Sequence, residues 1–337
     1  MKSQKLLQVP YNSLKSKQEK SPFTIKQISM ILEGKALSEQ MKIDLSIKAR
    51  HLGSGSYIAI LFFGDNEWSK VYVQRKQKYG EEIGIPVAVF GQYKKAEFPI
   101  AHTFDDISIY LQQQYDSILK VRDLISFLNY DKDCVGIVVQ LPLPPELKEY
   151  EAEILSAIAP QKDIDGLSGV VSGLSQCGIV DFLPATPKAI LTLLNHYKLD
   201  NFKGKTIAIL GQSNIVGKPL ALACIQRWAT VYSCNIDTPQ AQIKAQCQQA
   251  DYIIACTGHL HLVDESYIWA NKNQIIVDVG YGHINGKAAG DVQTDKIADK
   301  VAAYSPVPGG VGPLTIASLF DNIFVLQGVK SKLPILK

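Results

Sequence analysis

No CxxC pair and no Cys/His set at zinc-site spacing occurs in the chain, which excludes the common structural zinc frameworks. The six cysteines, Cys134, Cys177, Cys224, Cys234, Cys247 and Cys256, are scattered and read as reduced thiols of a cytoplasmic protein. His259 and His261 stand two apart in TGHLHLV with no third ligand nearby, so they read as a loop pair and no metal is expected. No run of about 18 unbroken apolar residues is present, so no membrane-spanning helix is expected. Strong charge is missing too. A net charge of +3 favours small anions such as phosphates and carboxylates and gives no footing for nucleic acid. The opening stretch MKSQKLLQVPYNSLKSKQEK lacks the apolar core of a signal peptide and the arginines of a transit peptide. It reads as a flexible extension over residues 1–25. Internal repeats and low-complexity segments are absent.

What the chain does have is material for a large interior. At 337 residues and 46% hydrophobic it exceeds the size at which one core stops growing. Two domains follow, with a cleft where small ligands bind. Leu37, Met41 and Leu45, with Ile43 and Ile47 beside them, predict a helix over residues 35–51. YIAILFF predicts a buried strand over residues 57–63, followed by a turn and a helix over 68–82. Strands are expected at 85–90 and 135–140, with a long helix within 106–129 between them. After Pro184 the pattern restarts with a helix over 187–196 and the strand, glycine turn and helix of KTIAILGQSNIVGKPLALACIQ. Further strands are expected at 230–233, 252–255 and 275–279. This alternation predicts the α/β class: two α/β domains, the second a Rossmann-type dinucleotide-binding domain, with an interdomain active-site cleft. The tail TIASLFDNIFVLQ has helical spacing and is expected to return to the first domain. The boundaries are then 26–186 plus 314–337 for the first domain and 187–313 for the second.

Gly211 ends a predicted strand and Gly217 opens the next helix, with Ser213 between them. This GxSxxxG turn is one residue longer than GxGxxG. Backbone amides at such a helix start can face a pyrophosphate, although glycines there often serve packing alone. Asp237 lies about twenty residues past Gly217, where a carboxylate can bond the ribose of NAD or can simply be an exposed turn residue. Earlier in the chain, Tyr72 and Lys76 are four apart and share a helix face, a spacing that by itself usually marks a solvated surface. Gln140 sits at the carboxyl end of a strand, the edge where open α/β sheets hold ligands. Asp163 and Asp165 lie in PQKDIDG, where either could merely turn the chain.

The segments GDNEWSKVYVQRK, GIVVQLPLP, PQKDIDG, LPATP, ILGQSNIVGKP, VDVGYG and SPVPGGVGPLT occur in the order and rough spacing of one family. The chain resembles the bifunctional methylenetetrahydrofolate dehydrogenase/methenyltetrahydrofolate cyclohydrolases over Ile31 to Leu326. The resemblance implies NAD(P)-linked oxidation of 5,10-methylenetetrahydrofolate and hydrolysis of the methenyl product to 10-formyltetrahydrofolate. The alternatives are a monofunctional dehydrogenase and a non-catalytic folate- or nucleotide-binding relative. It further implies that Lys76 is the key catalytic group, that Tyr72 orients the substrate, that Gln140 tunes the lysine and that Asp165 binds the pterin. Leu141, Pro308, Gly309 and Gly310 would add folate contacts. Thr186, Gly211, Gln212, Ser213, Val216, Gly217, Asp237, Thr257 and Gly258 would line the cofactor. The partners implied are tetrahydrofolate one-carbon derivatives and a second copy of the chain in a homodimer. NADP is the cofactor the resemblance implies, whereas Gln212, in place of a common arginine, and Asp237 predict a weak preference with NAD also accepted. Other departures are PATP in place of PCTP, and Val171 and Leu174 where asparagine and arginine are often found.

Overall fold

Six apolar residues in a row, Tyr57–Phe62, are buried along their whole length in the computed structural model of the chain, which describes residues 29–64, 66–91, 115, 117–269 and 273–329. A strand without polar alternation must be covered on both faces, the condition of a parallel sheet between helix layers. In chain order the first half runs β1 (Met30–Ile31), α1 (Lys35–Ala49), β2 (Tyr57–Phe62), α2 (Glu67–Ile83), β3 (Val87–Gly91), α3 (Ile118–Tyr130) and β4 (Cys134–Val139). β2 is the middle strand of a parallel sheet of order β3-β2-β4. Its alternate residues feed two cores: Ile58, Ile60 and Phe62 meet Val73 and Ile83 of α2, while Ala59 and Leu61 meet Leu124 and Leu128 of α3. The helix expected within 106–129 is present from Ile118. Its earlier residues, the N-terminal extension and the last residues of the tail lie outside the described residues.

The chain continues through α4 (Pro145–Lys148), α5 (Glu151–Ser156), α6 (Gly169–Gln176), α7 (Ala185–His196), β5 (Thr206–Leu210), α8 (Gly217–Gln226), β6 (Thr230–Cys234), α9 (Gln240–Gln249), β7 (Tyr252–Ala255) and β8 (Ile275–Asp278). A hairpin of β9 (Gly282–Ile284) and β10 (Lys287–Ala289), then α10 (Thr294–Ile297), β11 (Ala303–Tyr304) and α11 (Gly312–Gly328), complete it. Pattern reading needs windows of about eleven residues or more, so α4, α5 and α6, of 4, 6 and 8 residues, carry no periodic signal. The second sheet is parallel throughout, with order β1-β11-β8-β7-β5-β6. β6 and β7 pair on opposite sides of β5. The winding therefore reverses there, and the carboxyl ends of β5 and β7 flank the crevice in which open sheets of this kind hold ligands.

The last helix returns to the first sheet. Phe320 of α11 tilts against Tyr79 of α2 with ring centres 5.2 Å apart, and Leu319 and Ile323 join the same core as Ile60. Asn322, fully buried, donates to the carbonyls of Ile164 and Leu183 at 2.9 Å each and accepts from Lys188 Nζ at 2.9 Å. A buried amide with its bonds made holds its neighbours in one arrangement, because leaving any of those groups unpaired costs about 1–3 kcal/mol. In this way α11 pins both chain segments that enter the cleft, the one leading to Asp165 and the one leading to Thr186.

Candidate active site

The core-facing Val73 and Ile83 fix the rotation of α2 and leave Tyr72 and Lys76, one turn apart, toward the carboxyl end of β4. Gln140 follows β4 directly. Its backbone N–H donates to the Leu61 carbonyl at 2.8 Å, and its side-chain Nε2 donates to the Leu141 carbonyl at 2.9 Å. That second bond turns the amide oxygen outward, where Oε1 accepts from Lys76 Nζ at 3.0 Å.

The two aspartates of PQKDIDG have different surroundings. Asp163 is buried and accepts the N–H groups of Gly166 and Ser168 at 2.9 Å and of Leu167 at 3.3 Å, so it folds the loop. Asp165 is half-buried and its carboxylate accepts no hydrogen bond from the described residues. Withdrawal from water pushes the Lys76 ammonium below its ordinary value of 10.5, against the pull of the Asp165 charge. The same withdrawal raises the Asp165 carboxyl above the ordinary carboxylate range, with Lys76 opposing. For both groups the loss of water outweighs their mutual attraction, which leaves a lysine that releases its proton more readily than an exposed one.

Tyr72 is 40% exposed. Burial raises its phenol, Arg75 opposes the rise and Tyr281, from the loop after β8, adds to it. Side chains of both halves of the chain thus converge here. Leu141 and Gly166 line a cavity of about 260 Å³ that reaches Asn214 and Lys218 on the other side of the cleft. Thr186 stands in the first turn of α7. Pro308, Gly309 and Gly310 form the loop before α11, tied down where the Gly34 N–H donates to the Gly309 carbonyl at 2.8 Å. Val171, a departure from the family pattern, is fully buried in the core that includes Phe182, so it fills the interior and does not face the cleft.

At the second sheet's crevice Gly211 has φ +115°, and a Cβ there would lie 2.4 Å from the Cys256 carbonyl oxygen. A Cβ on Gly217 would lie 1.9 Å from the Gly211 oxygen. The turn is therefore flush against β7 and the start of α8, and it offers bare backbone at a helix amino end, a shape that fits a dinucleotide pyrophosphate. Ser213 Oγ accepts the Val216 N–H at 3.2 Å. Gln212 donates to the Ser233 carbonyl and hydroxyl at 3.0 and 3.1 Å and accepts from Asn235 at 3.1 Å. Asp237 is exposed, with its N–H on Asn235 Oδ1 at 3.0 Å. Lys218 Nζ donates to Asn214 at 2.7 Å. Thr257 and Gly258 follow β7 and are both bonded by Asp291.

Two residues of this architecture, Asn322 and Asp291, carry no local signal of their own. One is a polar position within an apolar helix, and the other is an aspartate beside glycine that reads as a turn.

Residues 32–165 match the model of the tetrahydrofolate dehydrogenase/cyclohydrolase catalytic domain, and residues 184–331 match that of the NAD(P)-binding domain of the same name. The bifunctional protein FolD of Aquifex aeolicus is 34% identical over 310 residues, covering 90% of this chain and 97% of the relative. The crystal structure of the bifunctional FolD methylenetetrahydrofolate dehydrogenase/cyclohydrolase from Campylobacter jejuni has a TM-score of 0.75 at 34% identity, covering 90% of this chain and 100% of that one. A 5,10-methylenetetrahydrofolate dehydrogenase from the silkworm, Bombyx mori, also has a TM-score of 0.75, at 28% identity, with 90% of this chain and 100% of that one covered.

Proposed function

The chain belongs to the tetrahydrofolate dehydrogenase/cyclohydrolase family, and from that premise we infer how its cleft carries out the two reactions. It oxidises 5,10-methylenetetrahydrofolate to the methenyl form with NAD(P) and hydrolyses that form to 10-formyltetrahydrofolate. The observation that carries the reading of the site is the Lys76–Gln140 bond of 3.0 Å beside the unengaged Asp165 carboxylate. Asp165 can accept two parallel N–H bonds from the pterin, a bidentate fit that sets its orientation. Lys76, in its neutral form, takes the proton from the water whose oxygen attacks the methenyl carbon. As the remaining hydroxyl proton leaves the new oxygen and N5 takes up a proton, the bond from that carbon to N5 breaks, and the formyl group stays on N10. Gln140 keeps the lysine in place through the reaction, and Tyr72 flanks the substrate.

NAD(P), when bound, supplies the hydride acceptor for the oxidation. The protein's share is positioning. The Gly211–Gly217 turn with Ser213 and Val216 would hold the pyrophosphate, Thr257 and Gly258 would face it across the crevice, and Thr186 with Pro308, Gly309 and Gly310 would line the junction of cofactor and folate. A spectrophotometric assay with methylenetetrahydrofolate, run separately with NADP and NAD, tests this function. Absence of turnover with both would overturn it.

The same assay tests cofactor choice. Binding the 2′-phosphate of NADP needs cationic or donor groups near the ribose, and Asp237 would repel it. Gln212 gives donors without charge and is already bonded to Ser233, while Lys218 is turned to Asn214. The expected result is a kcat/KM ratio favouring NADP by less than about a hundredfold, ~2.7 kcal/mol, which Asp237→Ser raises severalfold. A larger native ratio would show that Asp237 does not face the ribose.

We also infer a homodimer built through the cofactor-binding unit. β6 is the open edge of its sheet, and Ile236 beyond it is 84% exposed. Such an edge invites pairing with a second copy. Light scattering on the eluting protein should give twice 37.1 kDa, and the mass of a single chain would refute the assembly. All six cysteines are unpaired, which supports a reducing, cytoplasmic setting that a fluorescent fusion would check.

A further inference from the structure

We propose that Asp291 is a positioning residue for cofactor use, shaping the Thr257–Gly258 loop from behind. The proposal rests on the reading above that this loop lines the cofactor. Asp291 is fully buried. Its Oδ2 accepts the Thr257 N–H at 2.6 Å, the Thr257 hydroxyl at 2.9 Å and the Gly258 N–H at 3.0 Å. Three donors on one carboxylate oxygen, one of them this short, describe charge-assisted bonding that fixes direction as well as distance.

The surroundings are built around this carboxylate. Its other oxygen, Oδ1, has no hydrogen-bond partner among the described residues and packs against Gly280, where a Cβ would lie 2.1 Å away. Asp278 repeats the arrangement in reverse. Its carboxylate accepts the N–H groups of Gly280, Asp291 and Val292 at 3.0 Å each, and a Cβ on Gly290 would lie 2.0 Å from its Oδ2. The two Asp–Gly pairs dovetail and lock the turn after β8 to the segment after β10, which Asp291 in turn ties to the loop after β7. A buried carboxylate with one oxygen unpaired is an expensive way to gain stability alone. Its bonds go to a loop at the sheet's switch point, directly beside the glycine turn, where a Cβ on Gly258 (φ +72°) would meet open space within 4 Å. Asp291 thus holds the inner side of the loop by its amides and leaves the outer side clear for ligand.

The test uses the full-length enzyme. Asp291→Asn keeps the shape and removes the charge. It is expected to raise the KM for NADP and for NAD at least tenfold while changing kcat less than threefold and leaving hydrolysis of methenyltetrahydrofolate, which needs no cofactor, within twofold of native. An unchanged cofactor KM would overturn the proposal, as would equal losses in both reactions, which would mark a purely structural role. Should Asp291→Asn fail to fold, Thr257→Val and Thr257→Ser probe the same bond. The hydroxyl-keeping serine should raise the cofactor KM less than valine does, and equal behaviour of the two would overturn the proposal. Hydrogen exchange at Thr257 and Gly258 with and without NADP separates the two readings. Failure of the cofactor to protect these amides removes the loop from the cofactor site, whereas protection together with an unchanged KM in Asp291→Asn rejects Asp291 alone.

Discussion

Lys76→Met is expected to lower hydrolysis of methenyltetrahydrofolate by at least about a hundredfold, the lower end of what a positioned proton acceptor contributes. Methionine keeps an apolar stem of similar length, so tetrahydrofolate binding should remain measurable. The absorbance of the methenyl form, followed as it disappears, gives the rate directly. The native profile should rise with pH as Lys76 passes from ammonium to amine. Burial lowers its pKa, so that limb should lie below the ordinary lysine value of 10.5 and should be missing in Lys76→Met. Full hydrolysis by the variant would remove Lys76 from the mechanism.

Asp165→Ala is the other change with a large expected effect. Two pterin donors would lose a charged acceptor in a half-buried setting, and tetrahydrofolate binding should weaken by about 2 kcal/mol or more, roughly thirtyfold in Kd. Calorimetry with the folate measures it. Asp163→Ala provides the contrast, since it leaves the N–H groups of Gly166, Leu167 and Ser168 without their acceptor and should lower the unfolding temperature. If Asp165→Ala binds like the native protein, the free carboxylate is a bystander in the cleft.

The long elements were legible because their patterns are long. YIAILF and TIAIL have no polar break, and burial on both sheet faces requires none. GQSNIVG could be placed on a strand–turn–helix for the same reason. Four-residue helices and two-residue strands fall below any periodicity. The pairing of Met30 with Ala303 depends on contacts that no window can see. At the site, the residue pattern alone left Asp163 and Asp165 open, two residues apart in one turn, and only the resemblance assigned the pterin to Asp165. The two are told apart by three backbone N–H groups that all turn toward the first of them. Asn322 and Asp291 escaped for a related reason: each acts on backbone atoms far along the chain, so its own neighbours in sequence say nothing of its task.

The return of α11 to the first sheet bears on how the protein is made. Ile60 and Val138 belong to the half of the chain that a ribosome releases first, yet the core they share with Phe320 and Ile323 is closed by residues that emerge near the end of synthesis. β1 likewise waits for β11 to pair with it. Neither unit can complete itself while the other is unfinished, so the layer that α11 adds to the core of the first sheet is missing for most of translation. For this chain the vulnerable interval is the passage from β4 to α11, when the apolar side chains that α11 will cover, Ile60 and Val138 among them, still lack that layer.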